Sequence, residues 1–260
     1  MILTDMKDLK KLINEKNIKI FVIHALNGYE LHEKRVIEIM NKFEIPFQFM
    51  SEGDPSYFHK INMDEYLTKE IQTSLKIGPL SCCLNHFLIY KKMTIENIPY
   101  ALVLEDDFVF LKNFFLQMKK ILTRLHELPK GFILSLENTT LQFPGYFQVQ
   151  YNKIFYEAKK GRMAAAYIID LVGAKNILKD LQYNKCNLPI DHWHNELCRR
   201  NVIKIFWVHP PIVEQGSHNG MMYGTMSTKM NTLTRRIKWK IQKFYKYYIR
   251  RIFNDKRIIG

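Results

Sequence analysis

The stretch Tyr100-Ala101-Leu102-Val103-Leu104-Glu105-Asp106-Asp107 constrains this chain more than any other. A short apolar run opening after Pro99 reads as a buried strand, and it drives straight into three consecutive carboxylates. Three acids at one strand end repel one another unless a cation sits among them. Hard oxygen donors of this kind suit Mg²⁺ or Mn²⁺, beside which a phosphate group would bind. The alternative is that they cap a following helix, but capping needs one acid and not three. On an extended backbone Glu105 and Asp107 share a side, so Asp107 is expected to contact a metal and Glu105 a metal or a ribose. Asp106 is expected among the cofactor-binding acids, although it faces the other way and could as easily cap the helix that follows.

The pattern before this stretch alternates strand and helix. Helical spacing runs over 4–16, an apolar strand over 18–23, a helix over 30–43 and a strand over 45–50, which is a βαβ unit and implies a parallel sheet. A helix is expected over 64–74, and another over 80–95, where Asn85 and His86 interrupt an apolar stripe. After the acids a helix is expected over 112–128, a strand over 131–136, a hairpin joining 146–150 to 154–157, and an apolar strand over 164–169. Asp170 is placed to cap a helix over 171–181. Pro189-Ile190-Asp191-His192 opens a polar helix reaching Arg200, and 202–208 is a further strand. The expected fold is therefore α/β over 1–228, a Rossmann-like, mostly parallel sheet with helices on both faces and an antiparallel addition in its second half.

Charge separates the last residues from the rest. Residues 229–260 hold eleven Lys and Arg and one acid, so they carry +10 of the net +14. From Arg235 to Phe253 aromatic and aliphatic residues follow helical spacing with cations between them. That is the pattern of a basic amphipathic helix lying on an anionic membrane surface. Docking on the protein's own domain is the alternative, and nucleic acid is not the expected partner. As a membrane tail alone, 229–260 could be deleted with the chemistry left intact. Cys82, Cys83, Cys186 and Cys198 lack metal-type pair spacing, and no secretory leader or span-length apolar run is visible. The expectation is a cytoplasmic protein with reduced thiols, peripheral on the inner face of the cytoplasmic membrane.

Four ordered segments carry a family resemblance. They are Phe21-Val22-Ile23 with Glu33-Lys34-Arg35; Gly78-Pro79-Leu80-Ser81-Cys82-Cys83-Leu84-Asn85-His86; Tyr100 to Asp107; and Ala165 and Tyr167 with Gly173-Ala174, through Pro189-Ile190-Asp191, to His209-Pro210-Pro211-Ile212-Val213-Glu214-Gln215. In this order they resemble glycosyltransferase family 25, the lipooligosaccharide-biosynthesis glycosyltransferases. Asn85 stands where that family usually has Ser, and the tail lies outside the likeness. The resemblance implies a GT-A-like fold, a UDP-sugar donor, inversion at the anomeric carbon, and galactose or glucose added to a lipooligosaccharide or lipopolysaccharide core acceptor. It also implies that Asn85 and His86 lie by the nucleotide or sugar, Arg35 by the diphosphate, and Asp191 by the acceptor as catalytic base, with Glu196 and Glu214 as its competitors. His218 is the candidate further metal ligand and His209 its rival. A nucleotidyltransferase is the alternative enzyme, although the loop from His24 to Glu30 has one glycine and no Lys or Arg to cradle phosphate. A non-enzymatic basic module would explain the tail but leave the acids without purpose.

Overall fold

The computed structural model describes residues 2–222 and 232–253. In chain order the elements are α1 (Ile2–Glu15), β1 (Ile18–Ile23), α2 (Glu30–Lys42), β2 (Gln48–Met50), α3 (Lys69–Ser74), α4 (Ile77–Ile95), β3 (Tyr100–Glu105), β4 (Phe108–Phe110) and α5 (Phe114–Arg124). They continue with β5 (Phe132–Ser135), β6 (Phe155–Ala158), β7 (Ala166–Asp170), α6 (Leu171–Leu181), α7 (Ile190–Arg199), β8 (Lys204–Val208), β9 (Val213–Gln215), α8 (Gly216–Asn219) and α9 (Thr232–Phe244). A π-helical turn, Tyr245–Arg250, and a last turn, Arg251–Phe253, extend α9.

The central sheet has seven strands in the order β2-β1-β3-β7-β5-β8-β6. Strands β2, β1, β3, β5 and β8 point one way, and β7 and β6 point the other, so the sheet is mostly parallel with its antiparallel members in the second half. Alternation along the buried strands divides the core between the two faces. Ile20 and Val22 of β1 and Leu102 and Leu104 of β3 pack toward α1, α2 and α5. Phe21, Ala101 and Val103 pack toward α4, α6 and α7. Asp170 anchors one end of this arrangement: it accepts hydrogen bonds from the amides of Gly131, Phe132 and Gly173, capping α6 and pinning the start of β5.

Three local expectations are corrected. The acids do not lead into a helix, because Phe108–Phe110 forms β4, which pairs antiparallel with β9 and buries Phe108. No hairpin joins 146–150 to 154–157. Tyr146–Gln148 is a 3₁₀ turn with both aromatic rings exposed, and β6 pairs with β8, where Phe155 stands opposite Val208. The stretch 64–74 is broken in two, a 3₁₀ turn at Met63–Glu65 and then α3, whose first turn is capped by the Thr68 hydroxyl.

Candidate active site

Parallel strands β1 and β3 end side by side, and strand order reverses there, since β2 follows β1 in the chain while β3 returns to its other side. Crevices at such a point, beyond the carboxyl ends of the strands, are where open α/β sheets bind ligands. A cavity of about 440 Å³ lies here, and Glu105, Asp106, Asp107, Asp191 and His218 all line it. The β4–β9 ribbon explains how His218 reaches the acids across more than a hundred residues. Its register sets Phe108 opposite Gln215, so the turn after β9 returns over the acid turn. The amide of Gly216 donates to the Asp107 carbonyl (2.7 Å) and that of Ser217 to the Asp107 carboxylate (3.1 Å).

The three acids occupy different environments. Glu105 ends β3, accepts from the Gln215 side-chain amide (3.0 Å) and lies 3.8 Å from the Cys82 sulfur. Burial, reinforced by Asp107 and Asp106, pushes its carboxyl well above the ordinary range. Asp107 is raised too, by burial against the opposing Ser217 hydrogen bonds, and its Oδ1 is buried with no hydrogen-bond partner among the described residues. Asp106 behaves oppositely. Burial would raise it, but bonds from His24 (2.7 Å) and His32 (3.0 Å) outweigh that and hold it below the usual value. His32 is raised by the same bond. Asp106 is thus a fixed carboxylate with its pKa held low, whereas Glu105 and Asp107 are held high and form no ion pair among the described residues. An orphaned carboxylate oxygen beside a second acid fits a hard divalent cation. The atoms of Cys82, His86 and Glu105 also lie within 4.8 Å of one another. That set is softer, and its thiol is held protonated by burial, which suits Mg²⁺ or Mn²⁺ less well.

The other sequence candidates fall into place around this cavity. Asp191, in the first turn of α7, faces it, whereas Glu196 is paired with Arg199 and Arg200, and Glu214 with Lys243 and Asn219. Among the three base candidates, Asp191 is the one that lines the space. His86 lies wholly buried behind the wall. Its Nδ1 meets the Tyr167 hydroxyl (2.6 Å), which meets Tyr90 (2.6 Å), which in turn meets His194 Nε2 (2.8 Å), and burial keeps both imidazoles neutral. Asn85 lines a neighbouring cavity with His24 and Asp54, and its Oδ1 accepts from the Gly53 amide (2.8 Å). Arg35 donates to the carbonyls of Asp106 and Phe108 and lies over the Phe108 ring, so it braces the acid turn from behind. His209 lies away from the cavity among Phe143, Tyr156 and Tyr247, its pKa pushed down to about 3 by burial, Arg251 and Arg162.

Sequence reasoning missed His24 and His32, which orient Asp106, and Ser217 and Arg235, which line the cavity. The two histidines flank the loop after β1, and that placement was the one available signal.

The tail helix docks on the domain by its cations. Arg235 donates to the Ser217 carbonyl, Lys243 pairs with Glu214, Lys246 donates to the Thr140 carbonyl (3.1 Å), and Arg251 donates to the Pro144 carbonyl (2.6 Å). Ile237, Ile241, Phe244, Tyr248 and Ile252 are left exposed on the outside, with Arg236, Lys238, Lys240 and Arg250 also exposed. Residues 229–231 and 254–260 of the expected tail lie outside the described residues. None of the described helices is long and apolar enough to cross a membrane, and all four cysteines are free thiols.

A family model described as glycosyltransferase family 25 (LPS biosynthesis protein) matches residues 6–194. The lipooligosaccharide biosynthesis protein lic2B of Haemophilus influenzae is 24% identical over 179 residues, covering 66% of this chain and 65% of that protein. A glycosyltransferase 25 family member of Aedes aegypti is 24% identical over 217 residues, covering 79% of this chain and 32% of that protein. A family member of Anopheles gambiae is 25% identical over 169 residues, covering 65% of this chain and 25% of that protein. The chain therefore spans just under two thirds of lic2B and a third or less of the insect proteins.

Proposed function

The chain belongs to glycosyltransferase family 25, and from that premise we propose that it moves a hexose, galactose or glucose, from a UDP-sugar onto a lipooligosaccharide or lipopolysaccharide core acceptor, with inversion. The observation that carries this reading is the cavity beyond β1 and β3, where the three consecutive carboxylates and a fourth, Asp191, line one space. Family membership favours glycosyl transfer over nucleotidyl transfer and over a purely binding role.

Asp107 Oδ1 and Glu105 are the groups that would hold Mn²⁺ or Mg²⁺, with His218 near enough on the overlying turn to line the same cavity. When bound, such an ion neutralises a diphosphate leaving group. Asp106, locked by two histidines, fixes the turn that aims Asp107. Asp191 accepts the proton of the acceptor hydroxyl as that oxygen attacks the anomeric carbon from the face opposite the diphosphate. The new glycosidic bond forms as the bond to the diphosphate oxygen breaks, which inverts the centre and releases UDP.

The same reading supports a station at an anionic membrane, where a glycolipid acceptor resides. The helix α9 turns cations inward and leaves an apolar stripe with exposed cations outside, the arrangement an interfacial helix uses. The test is incubation of the purified protein with Mn²⁺, a panel of nucleotide sugars and a truncated lipooligosaccharide, followed by mass spectrometry of the acceptor. A single hexose increment from a UDP-hexose is expected. Transfer of a nucleotidyl group instead, or sugar transfer from only GDP- or CMP-linked donors, would overturn the reading.

A further inference from the structure

We propose that Arg235, on the C-terminal helix, is a diphosphate-binding residue of the donor site, so that this helix is a working wall of the active site. The proposal rests on the glycosyl-transfer reading above and concerns a residue outside the stretch 6–194 that the family model matches.

Arg235 lines the same cavity as Glu105, Asp107 and His218. One of its guanidinium nitrogens donates to the Ser217 carbonyl, and the amide of that same Ser217 donates to Asp107. A single residue thus separates the arginine from the acid turn. The other terminal nitrogen, Nη1, is buried and has no hydrogen-bond partner among the described residues. A guanidinium has only donors and does not give up its proton in a protein. A buried guanidinium nitrogen beside a cavity with nothing to donate to calls for an acceptor that the described residues do not supply.

Charge says what that acceptor is. Glu105, Asp106, Asp107 and Asp191 line the cavity, and among the described lining residues Arg235 is the only Lys or Arg. A divalent cation shared by two of those acids is largely spent on them, so a diphosphate arriving there needs a further fixed positive charge. The planar fork of arginine matches phosphate oxygens in two-point hydrogen bonds.

The position is also built rather than incidental. Gly220 has φ +80°, and a Cβ there would lie 2.9 Å from Arg235 Cβ and 2.9 Å from the Arg236 amide nitrogen. A Cβ at Gly216 would lie 2.8 Å from the Asp107 carbonyl oxygen. Acid turn, α8 turn and the start of α9 are therefore stacked with no room for a side chain between them. A tail that served membrane binding alone could be removed without loss of chemistry. This stacking instead makes donor affinity depend on it.

The test is calorimetric titration of the full chain with inorganic pyrophosphate, UDP and uridine, each with Mn²⁺ present, for wild type, R235A, R235Q and R235K. Losing one charged, two-point contact should weaken pyrophosphate and UDP binding about 10- to 100-fold in R235A and R235Q, with R235K between them and wild type. Binding of uridine, which has no phosphate, should be unchanged, and KM for the UDP-sugar should rise more than kcat falls. If R235A fails to fold, R235Q, which keeps a polar donor of intermediate length without the charge, carries the test. Wild-type affinity for pyrophosphate and UDP in folded R235Q would overturn this proposal alone. Failure of the wild type to bind either ligand would overturn the donor reading along with it.

Discussion

Asp191 and Glu137 are both acids, and their surroundings set them different tasks. Asp191 faces the cavity from the first turn of α7, where its side chain keeps some solvent contact. Asp191→Asn keeps the shape and removes the proton acceptor, so UDP affinity should be preserved while kcat falls about 100-fold or more. A near-normal rate in that variant would remove Asp191 as the base. Glu137 is fully buried beside Thr139 and Arg162, and its pKa is pushed up to about 7 by burial, against the Thr139 hydrogen bonds and the Arg162 charge. The folded chain therefore holds this proton from the ordinary value of 4.5 up to about 7, where the unfolded chain has released it. The sign follows: the wild type should lose stability as pH rises through that window, with no further loss from this group above it. Glu137→Gln should flatten the slope, relative to wild type, by an amount of order 3 kcal/mol at most. Denaturant unfolding at pH 4.5 and pH 7.5 reads this directly, and equal slopes in the two proteins would count against it.

At the scale of elements, local patterns revealed the strands and helices that bury one side, and long-range pairing stayed hidden. Apolar runs placed β1, β3 and β7, and the spacing of β1, α2 and β2 announced a parallel unit. Strand β4 was not legible, because Phe108–Phe110 is three residues long and its partner, Val213–Gln215, lies far down the chain. His86 stood out as polar within an apolar helix, yet what satisfies it comes from elsewhere: Tyr167 on β7 and, through Tyr90, His194 on α7. That network ties one sheet strand to two helices behind the cavity. Tyr167→Phe leaves His86 and Tyr90 without their shared partner, and should cost about 1–3 kcal/mol in denaturant unfolding with little change in KM. Unchanged stability would mean the network is not what holds α4 and α7 to β7. Of the candidate site, the acids were readable from type and position, and Asp191 from the family resemblance; all of them line the cavity. Arg235 was one cation among many; its bond to the Ser217 carbonyl and its place in the cavity lining are what set it apart.

For the molecule as a whole, the tail helix has two faces, one docked on the domain and one exposed. Its inward stripe, Arg235, Lys243, Lys246 and Arg251, docks on the domain, while Ile241 and Phe244 stand exposed at 64% and 60% on the outer stripe. Changing both outer residues to Glu should release the protein from anionic vesicles in a sedimentation assay. Donor binding should survive, since none of the docking contacts is touched. Retention of that double variant on the vesicles would detach the apolar stripe from membrane binding. The central claim concerns the end of β3, and UDP titration with and without Mn²⁺ in wild type and Asp107→Asn tests it most directly. Asparagine can still accept from the Ser217 amide, so the turn and the melting temperature should persist. The wild type should bind UDP about tenfold or more tightly with Mn²⁺ than with a chelator, and Asp107→Asn should lose that dependence. Wild-type binding indifferent to the cation, or full cation dependence retained in Asp107→Asn, would contradict the assignment of these acids to a metal-bound diphosphate.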